Sequence, residues 1–332
     1  MKPPYLVFLG DAANGSEAKT AAGVHHWRPD QCLAEHALPE AEFTLGLPRK
    51  TPQEAAAAGA RTMILGTVSG GGVIASSWRT VLLEALTAGL NVASGMHQFL
   101  ADDEELAAAA QSSGAEIFDV RRPPVDLPIG RGEPRAGHRI LTVGTDCNVG
   151  KMYTTLALEA ELRQRGYDAH FKATGQTGIL VTGEGVPLDA VVADFISGAV
   201  EQLSPAAPGE WHLIEGQGSL QHPAFAGVTL GLIHGAQPDW LVVCSDPGRR
   251  IMRQTRAYPI PSLRETLDAA LESARLTSPN VQALGCSLNT SKLDEATARQ
   301  ALDAAEDELG LPAVDPVRTG VGRLADGLPA PA

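Results

Sequence analysis

Short apolar runs recur along the chain, each ending in a glycine or a polar turn, with stretches of helical spacing between them. The first run, 5–9 (YLVFL), ends at Gly10, and the second, 62–65 (TMIL), ends at Gly66 and runs into TVSGGGVIASS. Residues 77–88 (SWRTVLLEALTA) have helical spacing and stop at Gly89, a C-cap signal. A strand over 91–93, an acidic-start helix from about Asp102 and a strand over 115–118 follow. The alternation then resumes, with strands expected at 139–143, 169–172, 211–214, 239–244 and 281–287. Helices are expected at 151–165, 187–200, 261–275 and 294–309, and an apolar helix around 225–235. Strands alternating with helices predict βαβ units and mainly parallel sheets.

One stretch breaks the pattern. Residues 121–138 (RRPPVDLPIGRGEPRAGH) hold four prolines and four arginines and no apolar periodicity. The chain therefore divides near residue 130. The expected organisation is a Rossmann-like N-terminal domain over 1–125, a linker over 126–138 and a P-loop NTPase-like domain over 139–332. A length of 332 residues suits two domains, and 44% apolar against 20% charged residues suits sizeable cores.

Charge and cysteine usage narrow the classes. A formal charge of −13 argues against broad nucleic-acid binding, which needs a basic footprint. The first apolar run is too short for a signal peptide, and no run is long enough to suggest a membrane span. Cys32, Cys147, Cys244 and Cys286 are scattered without a C-x-x-C pair, which fits a reducing cytoplasm. No H-E-x-x-H or H-x-H pattern points to a metal site, and none is expected.

The sharpest motif is 141–153, LTVGTDCNVGKMY. A strand, a glycine-bounded turn and a helix make an anion site, because backbone N–H groups and the helix dipole face the ligand. The expected phosphate-binding residues are Gly144, Thr145, Asp146, Cys147, Asn148, Val149, Gly150, Lys151 and Met152. The spacing G-x5-G-K is one residue longer than the usual loop. Met152 stands where NTPase loops carry the hydroxyl that binds Mg²⁺. A thioether is a poor Mg²⁺ ligand, and Thr154 and Thr155 come too late to replace it. Such a loop suits a ligand that needs a phosphate cradle but no phosphoryl-transfer metal, and coenzyme A is one.

Other candidates follow the predicted strands. Residues 172–198 contain the turns TGQTG and TGEG, which place Lys172, Thr174, Gln176 and Thr177 as possible pocket residues. Asp189 and Asp194 fall on the expected 187–200 helix, about 140° apart. Asp194, set in VVADFI, is the stronger of the two. In WHLIEGQGSLQH, Glu215 ends an apolar strand, where ligands of open α/β sheets bind, and His222 follows. Arg249 and Arg250 in CSDPGRR are candidates to hold a carboxylate or phosphate. Asn289 is a weaker candidate for a base contact. SGGG at 69–72 makes a nest-like turn, but the dinucleotide motif G-x-G-x-x-G is absent.

The segments GTDCNVGKM, ATGQTGILVTGEGVPLDAVVADFISGAVE, IEGQGSLQHPAFAGVTLGLIHGAQPD and CSDPGR resemble the D-glutamate N-acetyltransferase family. GDAANGSEAKTAAGV, WRPDQC and GTVSGGGVIASSW resemble its N-terminal domain, so the likeness covers nearly the whole chain. Methionine after the loop lysine is usual in that family. The resemblance implies transfer of acetyl from acetyl-CoA to the amine of D-glutamate or a related amino acid. It also implies a partner dehydrogenase that oxidises the N-acetyl product. A homo-oligomer is the default for such enzymes.

On this reading the loop cradles acetyl-CoA phosphates, with Glu215 as first and His222 as second choice of general base. Glycine turns at 175–178 or 216–218 are candidate oxyanion donors. Lys172, Arg249 or Arg250 would hold substrate carboxylates. More distantly, the loop and EGQG resemble dethiobiotin synthetase. The rival readings are therefore an ATP- and Mg²⁺-dependent ligase or kinase, and a nucleotide- or CoA-binding regulatory module.

Overall fold

A computed structural model describes residues 1–67 and 72–331. The chain forms two compact units, Met1–Pro123 with Gln176–Ala190, and Pro124–Gly175 with Val191–Ala332. The second-domain boundary read from the sequence does not anticipate the excursion of 176–190 into the first unit. Residues 69–71 of the expected nest lie outside the described residues.

The first unit runs β1 (Tyr5–Gly10), α1 (Lys19–Trp27), β2 (Cys32–Ala37), α2 (Pro52–Ala57), β3 (Thr62–Leu65), α3 (Ser76–Thr87), β4 (Asn91–Ser94), α4 (Glu104–Ser113) and β5 (Ile117–Asp119). The strands pair in parallel in the order β2-β1-β3-β4-β5. Every residue of β1 is buried, as expected of a strand covered on both faces. Leu6, Phe8, Met63, Trp78, Leu82 and Val92 are core residues. Helix α4 starts where Asp103 accepts the N–H groups of Glu105 and Leu106, and stops at the left-handed Gly114.

In chain order the remaining elements are β6 (His138–Gly144), α5 (Lys151–Gln164), β7 (Ala169–Lys172), α6 (Gln176–Thr182), α7 (Ile196–Leu203), β8 (Trp211–Ile214), α8 (Ala226–Ala236), β9 (Trp240–Ser245), α9 (Leu263–Ala274), β10 (Gln282–Leu288), α10 (Glu295–Leu309), β11 (Ala313–Val314) and α11 (Gly322–Ala325). Of these, α6 belongs to the first unit, where it packs on α1. The second sheet is parallel throughout, in the order β11-β10-β9-β6-β8-β7. Ile140, Leu158, Leu162, Leu213 and Val242 form its core. Both units are α/β with parallel sheets, as the alternating pattern predicts.

The expected helix over 187–200 does not form. Two 3-10 turns, Leu188–Ala190 and Ala193–Phe195, precede α7. Val191 and Val192 are β-branched, which lowers helix propensity there. Asp189 and Asp194 therefore do not share a helix, and Asp194 is exposed.

Candidate active site

Strand β6 lies inside the second sheet, between β9 and β8, and delivers the loop 144–151 at its carboxyl end. Thr145 N–H donates to the Cys244 carbonyl at 3.0 Å, which ties the start of the loop to β9. Asn148 and Gly150 take left-handed conformations, with φ of 53° and 100°. Helix α5 begins at Lys151. Left-handed residues ahead of a helix N-terminus make a backbone anion cradle.

Polar bonds brace the loop from behind. Buried Asp146 accepts from Cys147 N–H at 2.7 Å, Arg249 Nη1 at 2.8 Å and Arg253 N–H at 2.7 Å. Arg249 also donates to the carbonyls of Cys147 and Asn148, at 2.7 and 3.1 Å. Its Nη atoms thus hold the loop, and a substrate carboxylate would have to compete with it. The Lys151 ammonium is buried and donates to the carbonyls of Asp146 (2.8 Å) and Gly218 (2.9 Å). Burial lowers its pKa from the ordinary lysine value. Burial raises that of the Cys147 thiol, which keeps it protonated.

Position 152 is half-buried methionine, and the hydroxyls that follow turn into the core. Thr154 Oγ1 donates to the Gly150 carbonyl at 3.0 Å and lies 2.8 Å from Ser287 Oγ. Thr155 Oγ1 donates to the Lys151 carbonyl at 2.8 Å and lies 3.0 Å from Thr142 Oγ1. Both hydroxyls are engaged within the protein.

Strand β8 ends just before Glu215, which is 5% exposed. Its Oε2 accepts the N–H groups of Thr174 and Gly175 at 3.0 and 3.1 Å. Thr174 Oγ1 donates to the Glu215 carbonyl at 2.6 Å and accepts from Gln217 Nε2 at 3.2 Å. The N–H of Gly175 is consumed by Glu215, and that of Gly216 donates to Thr142 Oγ1 at 3.0 Å. Neither faces a ligand, although both glycines lie in turns expected to supply oxyanion donors.

His222 is placed differently from the sequence expectation. The ring is buried and stacks on Phe225 at 4.5 Å. Nδ1 accepts from Ala224 N–H at 3.1 Å, and Nε2 donates to the Arg253 carbonyl at 2.8 Å. With both nitrogens engaged, the ring is a strut and has no lone pair ready to take a substrate proton.

The expected substrate residues divide between the units. Lys172, Thr174, Asp194, Arg249 and Arg250 lie in the second, with Lys172 half-buried and Arg250 exposed. Gln176 and Thr177 lie in the first, where Thr177 Oγ1 is 3.2 Å from Thr20 Oγ1.

A cavity of about 260 Å³ opens beside the loop, lined by Val149, Gly150, Tyr153, Asn289, Pro316 and Val317 among others. Asn289 was readable as a residue following a strand. Tyr153 and Val317 carry no sequence signal, because their role depends on α5 and the chain after β11 meeting at one place. Among the described residues, Asp168, His170 and Glu210 bring possible ligand atoms within 4.8 Å of one another. They sit at the amino ends of β7 and β8, the opposite end of the sheet from the loop. No helix among the described residues is long and apolar enough to cross a membrane.

Comparison with known proteins agrees with this architecture. Residues 34–123 match a Rossmann-like domain described as a domain of unknown function (DUF1611_N). Residues 128–325 match a P-loop domain described as a domain of unknown function (DUF1611_C). A protein of Tritonibacter scottomollicae named D-glutamate N-acetyltransferase is 49% identical over 331 residues, 99% of either chain. A Pseudoalteromonas protein of the same name is 43% identical over 329 residues, again 99% of each. The crystal structure of a DUF1611-family protein from Anabaena variabilis superposes with a TM-score of 0.88 at 33% identity, covering 98% of this chain and 99% of that one. With both halves matched and relatives similar along their whole length, the chain belongs to the DUF1611 family.

Proposed function

We propose that the chain transfers an acetyl group from acetyl-CoA to the amine of D-glutamate, the reaction for which its full-length relatives are named. The observation that carries the reading is a braced phosphate loop with methionine at 152 and both following hydroxyls turned into the core. Such a loop holds a phosphate-bearing carrier and offers nothing to the Mg²⁺ of phosphoryl transfer. The pyrophosphate of CoA would take the cradle of 144–151, drawing Lys151 away from its two carbonyls. The adenine would enter the adjoining cavity, between Tyr153 and Asn289.

Transfer is direct in this scheme, since the Cys147 thiol stays protonated and makes a poor acetyl acceptor. The free amine attacks the thioester carbonyl, forming the C–N bond and an oxyanion. The nitrogen of that adduct carries a strongly acidic proton. Glu215 is the candidate base that takes it. The C–S bond then breaks, and the proton passes to the departing CoA thiolate. Lys172 and Arg250 remain candidates for a substrate carboxylate. The N-acetyl product would suit a dehydrogenase acting next.

The deciding experiment is thiol release from acetyl-CoA with D-glutamate, L-glutamate or no acceptor, each with and without Mg²⁺. Release with D-glutamate and indifference to metal are expected. ATP turnover without thiol release would instead favour a ligase or kinase. Glu215→Gln should lower kcat by roughly 10²–10⁴-fold with its thermal midpoint kept. Full turnover by that variant would remove Glu215 from the mechanism.

A further inference from the structure

The carboxyl ends of the first sheet hold a buried cation that the scheme above leaves unused. Arg121 lies just beyond β5, where Val120 N–H donates to the Ser94 carbonyl at 2.9 Å and so sets the residue beside the end of β4. It is only 8% exposed. One partner is the carboxylate of Asp189. Another is the Gln176 amide, whose oxygen accepts from Nη1 at 3.3 Å while its nitrogen donates to the Gly95 carbonyl at 2.5 Å. A Cβ on Gly95 would come within 1.9 Å of that amide, so glycine is what admits Gln176 to this place. Arg121 Nε has no acceptor among the described residues.

A buried guanidinium with an unpaired N–H is costly, and a planar fork of donors matches a carboxylate. Ligands of open parallel sheets bind at these strand ends. Asp189 is an unusual partner for a structural pair. Its side chain is 39% exposed, and it lies on a short 3-10 turn beyond Gly183 and Gly185, which have φ of 85° and 148°.

We propose that Arg121 is the anchor for a carboxylate of the acceptor amino acid, and that Asp189 occupies this anchor until the acid displaces it. The identity of the acid rests on the acetyl-transfer reading; the anchor itself does not. Asp189 is then an internal competitor, and the affinity for the acid is reduced by the fraction of molecules in which the pair is closed. A purely structural ion pair predicts the opposite response when Asp189 is removed.

The test compares wild type, Arg121→Gln and Asp189→Asn in the full chain. Steady-state kinetics give KM for D-glutamate and for acetyl-CoA, and calorimetry gives binding of D-glutamate, L-glutamate and glutarate without acetyl-CoA. Arg121→Gln should raise the acceptor KM about 10- to 100-fold and leave that for acetyl-CoA nearly unchanged. Asp189→Asn should lower the acceptor KM about 3- to 10-fold. An acceptor KM that is unchanged or higher in Asp189→Asn would overturn the competitor role, and an unchanged one in Arg121→Gln would overturn the anchor. If wild type shows no acetyl transfer, the functional reading falls and the binding arm decides. Acids that bind wild type and are weakened by Arg121→Gln keep the anchor. Binding of none of the three overturns it.

Discussion

The two ends of the second sheet bury charge in different ways. At the amino ends of the strands, Arg139 is 2% exposed and donates to the carbonyls of Arg135, Ala136 and Pro205 at 3.0–3.1 Å and to Ser204 Oγ at 3.1 Å. Trp211 and Trp240 stack there at 5.2 Å, and His212 bonds Ser204 Oγ at 2.7 Å and Glu210 at 3.0 Å. These charges are satisfied by the protein itself. At the carboxyl ends, Arg249 is used the same way, but on the back of a loop whose cradle is left for a ligand. Buried charge therefore does not by itself mark a site; what it holds in place decides. The amino end should govern stability, and the carboxyl end rate.

Arg139→Met tests this most severely. It strands several carbonyls in the interior and should cost about 3–5 kcal/mol. That corresponds to a fall of roughly 6–20 °C in the thermal midpoint of a unit this size. At a temperature where the variant is folded, kcat should stay within about twofold. A selective loss of turnover would break the division of labour.

The next effect is a pH limb from His212. Burial lowers its pKa to about 4. The unfolded chain takes up that proton near pH 6.5, so between pH 6.5 and 4 the unfolded state binds more protons. Stability is then complete above about pH 6.5 and falls as the pH drops to 4. A fall from 6.5 to about 4 corresponds to a loss of at most roughly 3 kcal/mol. Chemical denaturation across that range should find the limb in wild type and a shallower one in His212→Gln. Equal slopes would exclude His212 as its source.

The smallest effect sharpens the carboxyl end. Met152→Thr restores the usual loop hydroxyl and should change kcat/KM for acetyl-CoA by less than about threefold. It should also make ATP binding respond to Mg²⁺. Abolished transfer would mean that the thioether itself contacts the reacting thioester.

Much of this was legible in the sequence, for physical reasons. The loop is legible because a strand, a glycine-bounded turn carrying lysine and a helix follow one another, and Glu215 because it directly follows an apolar strand. Strand β2 was not expected, because CLAEHA carries Glu35 in its middle. That carboxylate is fully buried and accepts from Thr44 Oγ1 at 2.6 Å and Leu45 N–H at 2.7 Å. Donors nine and ten residues away compensate it, and no local pattern reports them. Arg121 was hidden by a different cause. It opens a proline- and arginine-rich stretch that reads as solvated linker, and composition does not tell which arginine turns inward. His222 looked like an acid–base group because its partners, Ala224 N–H and the Arg253 carbonyl, are backbone atoms without a sequence signature.

The excursion of 176–190 has a consequence for biosynthesis. The first unit is completed by a piece of chain that follows β6, α5 and β7 of the second. On the ribosome, the N-terminal sheet cannot gain α6, nor Arg121 its Asp189, until Ala190 has left the exit tunnel. By then the phosphate loop has already been made. The usual order, in which an N-terminal domain folds to completion before the next begins, is therefore closed to this chain. A cut in the linker would yield an N-terminal fragment without its last helix and a C-terminal one carrying a segment with nowhere to pack.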